Sequence, residues 1–358
     1  MALHISVKFQ CFLLLIWLQL ASRAEIAITA STVITKHGCQ DHCGNVSIPY
    51  PFGIGHGCYI SEYFEIKCDD SLIGSTKPRR GGYNISSISI LDGEMTTEVF
   101  VARNCPERKT PRVKSKATLG KFTFSSTKNK FIGIGCNTWA YLGLDSNASS
   151  GTGCLSVCNK NEDATDGSCG GVGCCKTSIP SGIKSFKIGV GSMFNDNTSL
   201  SFNPCGYGFL VEERSFNFSS SYLKNFKNNG TGSVPVVVDW TVGNETCGEA
   251  KRNLMSYACG PNTDCISADN TTGALGYRCS CAAGYSGNPY LNSSTGGGCQ
   301  DIDECKEVCM GPNGNCRNTE GSYECSCNKG YQSEVRNNFL DCYPESLQKQ
   351  HKFNKIVL

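Results

Sequence analysis

Cysteine is the residue that most limits what this chain can fold into. There are 25 in 358 residues, and they are clustered. Between Asp301 and Cys342 stand Cys305, Cys309, Cys316, Cys325, Cys327 and Cys342. Six cysteines in so short a stretch exceed any demand of hydrophobic packing. They describe a small module stapled by disulfides in an oxidising compartment. Oxygen donors accompany them. The side chains of Asp301, Glu304 and Asn318, with the backbone carbonyls of Ile302, Thr319 and Ser322, could supply the roughly six to eight oxygens that calcium takes. The alternative is that the acids only solvate a linker. Against it, the acidic preface, the C-x-N step, Tyr323 and the C-x-C step all agree in spacing.

The start of the chain explains the odd cysteine. His4 and Lys8 precede or flank an apolar run from Phe9 to Leu20, and Ser22-Arg23-Ala24 follows as a small-x-small cleavage site. This reads as a secretory signal over residues 1–24, too short to span a bilayer. Its removal takes Cys11 with it and leaves 24 cysteines, an even number that fits complete pairing. Nine N-x-S/T sequons agree with a secreted glycoprotein: Asn45, Asn84, Asn147, Asn197, Asn217, Asn229, Asn244, Asn270 and Asn292. Beyond the leader no run of about 20 apolar residues occurs, so no transmembrane helix is expected. The tail, residues 343–358, is polar and lacks the hydrophobic end that a lipid-anchor signal needs.

A second six-cysteine set, Cys247, Cys259, Cys265, Cys279, Cys281 and Cys299, makes an internal repeat over 244–299. Each copy has a C-x-C step and then C-x-x-G-Y, with Gly284-Tyr285 in one and Gly330-Tyr331 in the other. The glycine suits a turn that needs positive φ. Spacing alone leaves the pairing open. The D-x-D-E-C and C-x-N-x4-Y-x-C signatures over 301–342 resemble the calcium-binding epidermal-growth-factor-like (EGF-like) module. That resemblance implies the six calcium positions named above. It also implies pairing first to third, second to fourth and fifth to sixth. In the first copy the pairs would be Cys247–Cys265, Cys259–Cys279 and Cys281–Cys299. In the second they would be Cys305–Cys316, Cys309–Cys325 and Cys327–Cys342. The first copy has Asn244-Glu245-Thr246 where the acidic preface would stand, so no calcium is expected there. Few residues separate Cys299 from Cys305, so calcium in the second copy would stiffen the joint.

The other twelve cysteines lie between Cys39 and Cys205, in a region 25–243 rich in Gly, Ser, Asn and Thr. Short alternating runs recur at Tyr83 to Leu91, Glu98 to Ala102, Lys121 to Phe124, Phe131 to Ile134, Ser185 to Val190, Tyr207 to Val211 and Val234 to Trp240. Strand period fits them better than helix period. The expected fold is mostly β and disulfide-rich, an N-terminal cysteine-rich β domain followed by two small EGF-like modules. CGNVSIPYPFGIGHGC (Cys43 to Cys58) is similar to the opening of the galacturonan-binding domain of plant wall-associated receptor kinases. FIGIGCNTWAYL, CLSVCNKNEDATDGSCGGVGCCKTSIP, FNPCGYGFLVEERSFNFS and VPVVVDWTVGNETC look like its later blocks, in order. Such receptors continue into a transmembrane helix and a kinase, which this sequence does not contain, so phosphorylation cannot be carried over.

The resemblance implies binding of pectin, a polymer of galacturonate. A polyanion calls for several cations on one surface, since each exposed ion pair contributes only about 0–1 kcal/mol. Arg103, Arg108, Lys109, Arg112, Lys114, Lys116 and Lys121 stand against one acid, Glu107, and Lys77, Arg79 and Arg80 form a second patch. Arginine suits bidentate contact with carboxylate. The alternative is a solvated basic loop. His37, Cys39, His42, Cys43 and His56 match no standard zinc spacing and read as disulfides with incidental histidines. Tyr50, Phe52, Trp139, Tyr141 and Trp240 could stack on sugars, but core packing is the expected role. Gly171 and Gly173 lack the lysine-serine of a phosphate loop, and no G-x-S-x-G or H-E-x-x-H occurs.

The sequence thus points to a secreted, non-catalytic, pectin-binding and calcium-binding protein of the plant apoplast or cell wall. Oligogalacturonide would be its ligand. Full-length receptor kinases or other wall proteins are further candidate partners, and neither nucleic acid nor a membrane span is expected. Rival readings are a decoy or co-receptor for such receptors, a truncated receptor product, and an enzyme acting on wall polysaccharide.

Overall fold

Runs that alternate Val, Ile, Phe or Leu with polar residues pair into antiparallel sheets, because alternation turns one strand face to a core and the other to water. The computed structural model describes residues 34–69, 76–105, 114–144, 150–193, 201–226, 232–268, 275–292, 297–306, 308, 313–336 and 339–344. The leader, most of the tail and the sequons at Asn147, Asn197, Asn229 and Asn270 lie outside them. The chain is mostly β and disulfide-rich. Among the described residues the only α-helix is a single turn, Cys247–Ala250.

A six-stranded sheet runs in the order Lys67–Asp69, Lys77–Arg80, Tyr83–Ser89, Glu94–Phe100, Ser233–Asp239, Thr123–Phe124. Val236 faces Thr97 and Val238 faces Met95 across its longest pairing. Beside it lie two four-stranded sheets. One runs Cys174–Thr177, Asn129–Ile134, Gly206–Glu212, Ala102–Asn104. The other runs Gly151–Ser156, Thr138–Gly143, Ser185–Ser192, Ser115–Thr118. These two stack closely because glycine faces the gap. A Cβ on Gly208 would come within 2.8 Å of Val190, and one on Gly133 within 3.0 Å of Ala140. The Cys154–Cys175 disulfide ties the two sheets together.

That stacking sets which residues face out. Ala140, Leu142, Ile188 and Val190 are buried inside. Trp139 and Tyr141 occupy the alternate positions and are only half-buried, on the outer face. Core packing was expected of both, and the structure corrects this. Trp240 does lie in the core, at 1% exposure, as do Tyr50 and Phe52. Trp240 meets Phe52 edge-on at 5.2 Å between centroids and Phe64 at 5.9 Å.

All twelve cysteines from Cys39 to Cys205 are paired: 39–58, 43–68, 105–205, 136–158, 154–175 and 169–174. Cys39 and Cys43 are therefore disulfides and not zinc ligands. In the first repeat Cys247 joins Cys265, Cys259 joins Cys279 and Cys281 joins Cys299. In the second, Cys305 joins Cys316 and Cys327 joins Cys342. Cys325 is disulfide-bonded too. Cys309 lies outside the described residues.

The first module does not hang free. Val242 forms a bridge with Tyr277, joining the end of the large domain to the module's hairpin. Tyr290 packs on Trp240 at 5.9 Å. Asn288 donates its amide to the carbonyls of Ile34 (2.8 Å) and Tyr50 (2.6 Å). Arg278 crosses the seam and donates to the carbonyls of Leu91 and Asp92, lying where a Cβ on Gly93 would be.

Candidate calcium joint and polysaccharide surface

The second module begins where the first ends. Tyr285–Ser286 of the first pairs with Gln300–Asp301, and the amide of Ile302 donates to the carbonyl of Gly284 at 2.9 Å. Gly284 needs its glycine: φ is +80°, and a Cβ there would strike the carbonyl of Gly321. Gly321 sits at the tip of the hairpin formed by Gly314–Thr319 and Ser322–Cys327. The C-x-x-G-Y turn of the first repeat is thus the seat on which the second repeat's hairpin rests.

The expected calcium residues converge at this seat. Asp301 accepts from Asn318 Nδ2 at 2.7 Å through one carboxylate oxygen and from the amide of Gly321 through the other. Asn318 pairs with Tyr323, and Thr319 with Ser322, at the hairpin tip. Glu304 opens a short turn, Glu304–Lys306, that packs against both hairpin strands. Its Oε2 is buried and has no hydrogen-bond partner. A buried carboxylate oxygen without a partner is costly, and a bound cation would relieve it. The donors are all hard oxygens, so the residues present fit calcium. Among the described residues, no cluster of three or more His, Cys, Asp or Glu side chains surrounds a point. Carbonyl and amide oxygens would therefore have to complete the shell.

The first repeat uses the equivalent stretch differently. Thr246 caps the helix Cys247–Ala250: its hydroxyl accepts from the amide of Glu249, and Glu249 reaches back to the amide of Thr246 at 2.9 Å. This reciprocal arrangement satisfies helix-end donors. The preface has become a capping box.

The basic candidates divide. Lys77 and Arg79 are exposed on Lys77–Arg80. Arg80 beside them is half-buried and structural. Its guanidinium lies over the Phe122 ring at 4.1 Å, and Nε donates to the carbonyl of Tyr63 at 2.7 Å. Burial pushes its pKa down to about 10. Arg80 also donates to the carbonyl of Leu119, and Tyr83 Oη accepts from the amide of Thr118. These contacts bring the strand of Lys77 and Arg79 up to the end of Ser115–Thr118. The two basic stretches, separate in sequence, therefore adjoin in space. Lys114 and Lys116 are exposed, and Arg103 is half-buried. Lys121 is held by the carbonyl of Gly243, and burial lowers its pKa. Arg108, Lys109 and Arg112 lie outside the described residues. Sequence reading passed over Lys187, which sits directly opposite Lys116 across a strand pair. Its alternation with Phe186 and Ile188 was the available signal. Of the sequons described, Asn45, Asn217, Asn244 and Asn292 are exposed, while Asn84 is half-buried beside Glu98.

Two family models match the chain. Residues 39–99 match the wall-associated receptor kinase galacturonan-binding domain, and residues 301–342 match the calcium-binding EGF domain. Among curated proteins, Arabidopsis thaliana wall-associated receptor kinase 2 is 36% identical over 84% of this chain and 39% of its own length. Wall-associated receptor kinase 5 is 36% identical over 86% of this chain and 40% of its own, and wall-associated receptor kinase 3 is 37% identical over 81% and 39%. The chain spans about two-fifths of the length of these relatives. Both matched domains are of binding type. Among the described residues, no helix is long and apolar enough to cross a membrane.

Proposed function

From its homology to wall-associated receptor kinases along most of its length, we propose that this chain binds de-esterified pectin outside the cell. The observation that carries the reading is the galacturonan-binding match at 39–99, which contains the exposed Lys77 and Arg79. The contacts of Arg80 and Tyr83 then bring Lys114 and Lys116 into the same neighbourhood. The chain itself performs no catalysis in this reading; it acts as an apoplastic ligand-binding protein, alone or beside full-length receptors. Calcium is its metal, held by Asp301, Glu304 and Asn318 with the carbonyls of Ile302, Thr319 and Ser322. The unpartnered Glu304 oxygen and the calcium-binding EGF match support that assignment. Bound there, calcium would clamp the hairpin tip onto the Gly284 turn.

The test is a binding screen on protein made in a secretory host. Polygalacturonate should bind, more tightly as the polymer lengthens, because weak contacts act together. Affinity should fall as salt rises above about 0.15 M, where the screening length is roughly 8 Å. Methyl-esterified pectin, having lost its charges, should bind poorly. Replacing Arg108, Lys109, Arg112 and Lys114 by Ala should weaken binding. If that variant folds and binds as tightly as wild type at low salt, Lys77, Arg79 and Lys116 carry the contact instead. If oligogalacturonides are shortened on incubation, the protein is an enzyme and the proposal fails.

A further inference from the structure

Resting on the pectin-binding reading, we propose a sugar-stacking platform on the outer face of the sheet Gly151–Ser156, Thr138–Gly143, Ser185–Ser192, Ser115–Thr118. It would take a uronate chain along Trp139 and Tyr141, with Lys116 and Lys187 holding carboxylates. This sheet lies beyond the 39–99 region matched as galacturonan-binding.

Glycine makes the platform flat. Gly191 lies opposite Trp139 in the sheet, and a Cβ there would come within 2.3 Å of the indole. Gly189 lies beneath the same ring, and a Cβ on it would make ordinary contact at 3.4 Å. On the other side, a Cβ on Gly151 would reach within 2.6 Å of the Tyr141 hydroxyl, and one on Gly153 within 3.3 Å of its ring. Each aromatic side chain is therefore laid over bare backbone. The indole Nε1 donates to the carbonyl of Ser192 at 3.1 Å, which fixes the ring's lie. Trp139 and Tyr141 are two residues apart on one strand, so their Cα atoms are about 7 Å apart along it, with the indole laid toward Gly189 and Gly191 and the phenol toward Gly151 and Gly153. Leu155, opposite Trp139, is 58% exposed and extends the apolar strip.

Such a surface suits a pyranose. A galacto-configured ring gathers C–H bonds on one face, because its axial hydroxyl lies on the other, and that face packs on an aromatic ring. Charge selects which sugar. Lys116 and Lys187 are both exposed and directly opposite one another. Like charges in that relation destabilise a sheet. No acidic residue occurs anywhere in the four strands to offset them. An occupant carrying carboxylates at regular intervals would offset both. Lys187 also lies opposite Gly143, one step along from Tyr141, so the cations flank the aromatic strip.

Tryptophan emission reads the site directly. Of the three tryptophans, Trp17 lies in the leader stretch and Trp240 is 1% exposed, which leaves Trp139 to face solvent. Polygalacturonate should be titrated into the full chain, freed of N-glycans, with emission and calorimetry followed together. Emission should shift on binding in wild type and stay silent in Trp139→Phe, which retains a ring. Trp139→Leu with Tyr141→Leu, which keeps apolar cover over the glycines, should lose roughly tenfold or more in affinity. Lys116→Gln with Lys187→Gln lies wholly at exposed positions and should fold even if the leucine variant does not. It should also weaken polygalacturonate binding while leaving a neutral galactan unaffected. Calorimetric binding with unchanged emission and unweakened variants would overturn the platform and leave pectin binding standing elsewhere. Neutral galactan bound as tightly as polygalacturonate would overturn the uronate assignment. No binding of polygalacturonate to wild type at all would overturn this proposal and the function it rests on.

Discussion

The two EGF-like repeats share a disulfide plan and differ in what supports them. The first buries Tyr277, Cys279, Tyr290, Leu291 and Cys299 to 6% exposure or less. In the second, none of residues 301–306, 308, 313–333 and 342–344 is buried. A module this small cannot assemble a sufficient core alone. The first solves the problem by joining the core of the large domain through Trp240, Tyr50 and Val242. Among the described residues, the second rests on its disulfides and the Gly284 seat. The difference accounts for the two prefaces. A docked module can use Asn244-Glu245-Thr246 to cap a helix, whereas the exposed one presents Asp301 and Glu304, which fit a metal.

Undocking the first module should have the largest effect. Tyr290 is 6% exposed, packs on Trp240, and its hydroxyl accepts from the amide of Cys279 at 3.0 Å. Tyr290→Ala should cost about 3–5 kcal/mol, as large aromatic truncations in cores do. Thermal unfolding should then show the 247–299 repeat melting apart from the large domain. A single unaltered transition would mean that the modules are not coupled through this residue.

Next in size is the loss of one staple from the exposed repeat. Replacing Cys305 and Cys316 by Ser opens a short loop, and the expected loss is about 3 kcal/mol in the chain-entropy picture. Hydrogen exchange should rise across 301–342 and stay unchanged across 247–299. Equal deprotection of both repeats would contradict the claim that only the first leans on the large domain.

Removing the metal donor should have a smaller effect. Extracellular calcium modules bind at about 10⁻⁴–10⁻³ M, and losing the charge of Glu304 should weaken this by roughly tenfold. Chelator should raise protease sensitivity near Gly284 and Gly321 in wild type, and Glu304→Ala should resemble chelated wild type. Equal calcium binding by both proteins in calorimetry would sink the assignment. Thr246→Ala, the matching change in the first repeat, should leave calcium binding alone and cost about 1 kcal/mol of helix capping.

Much of this contrast was legible in the sequence, because cysteine spacing is local information. The repeats, their C-x-x-G-Y turns and the missing acidic preface are all visible in short windows. The strands of the large domain were legible where Val, Ile and Phe alternate with polar residues, as at Tyr83–Ser89 and Ser233–Asp239. Thr138–Gly143 and Gly151–Ser156 were not read as strands, since their outward positions hold Trp139, Tyr141, Gly151 and Gly153 rather than polar residues. The role of Arg80 was illegible for another reason. Its guanidinium is buried by Tyr63, Leu119 and Phe122, partners set by tertiary folding and far from it in sequence. Docking of the first module was equally hidden, because Asn288 and Tyr290 sit in an unremarkable loop.

The smallest expected effect concerns pH at the docked seam. Asp239 ends the strand Ser233–Asp239, directly opposite Glu94, and burial pushes its pKa up to about 6. A Ser125 hydrogen bond and the charges of Arg278 and Lys128 oppose the rise, while Glu94 adds to it. The folded carboxyl therefore holds its proton at pH values where the unfolded one, near 3.8, has lost it. Between those values the native state binds more protons than the unfolded state, so stability falls as pH climbs. The burden is absent below about pH 4 and complete above about pH 6. A rise of about 2 pK units corresponds to at most about 3 kcal/mol, and partial exposure reduces that to roughly 1. Asp239→Asn keeps an oxygen for Ser125 and removes the titration. It should match wild type near pH 4 and exceed it at pH 7 by about 1 kcal/mol, or roughly 2–4 °C in Tm. Asp239 lies in the large domain, so Asp239→Asn should leave hydrogen exchange across 301–342 as it is in wild type at each pH. If Asp239→Asn is no more stable than wild type at pH 7, the ionised carboxylate is adequately served by Arg278 and Lys128. The seam would then be insensitive to acid.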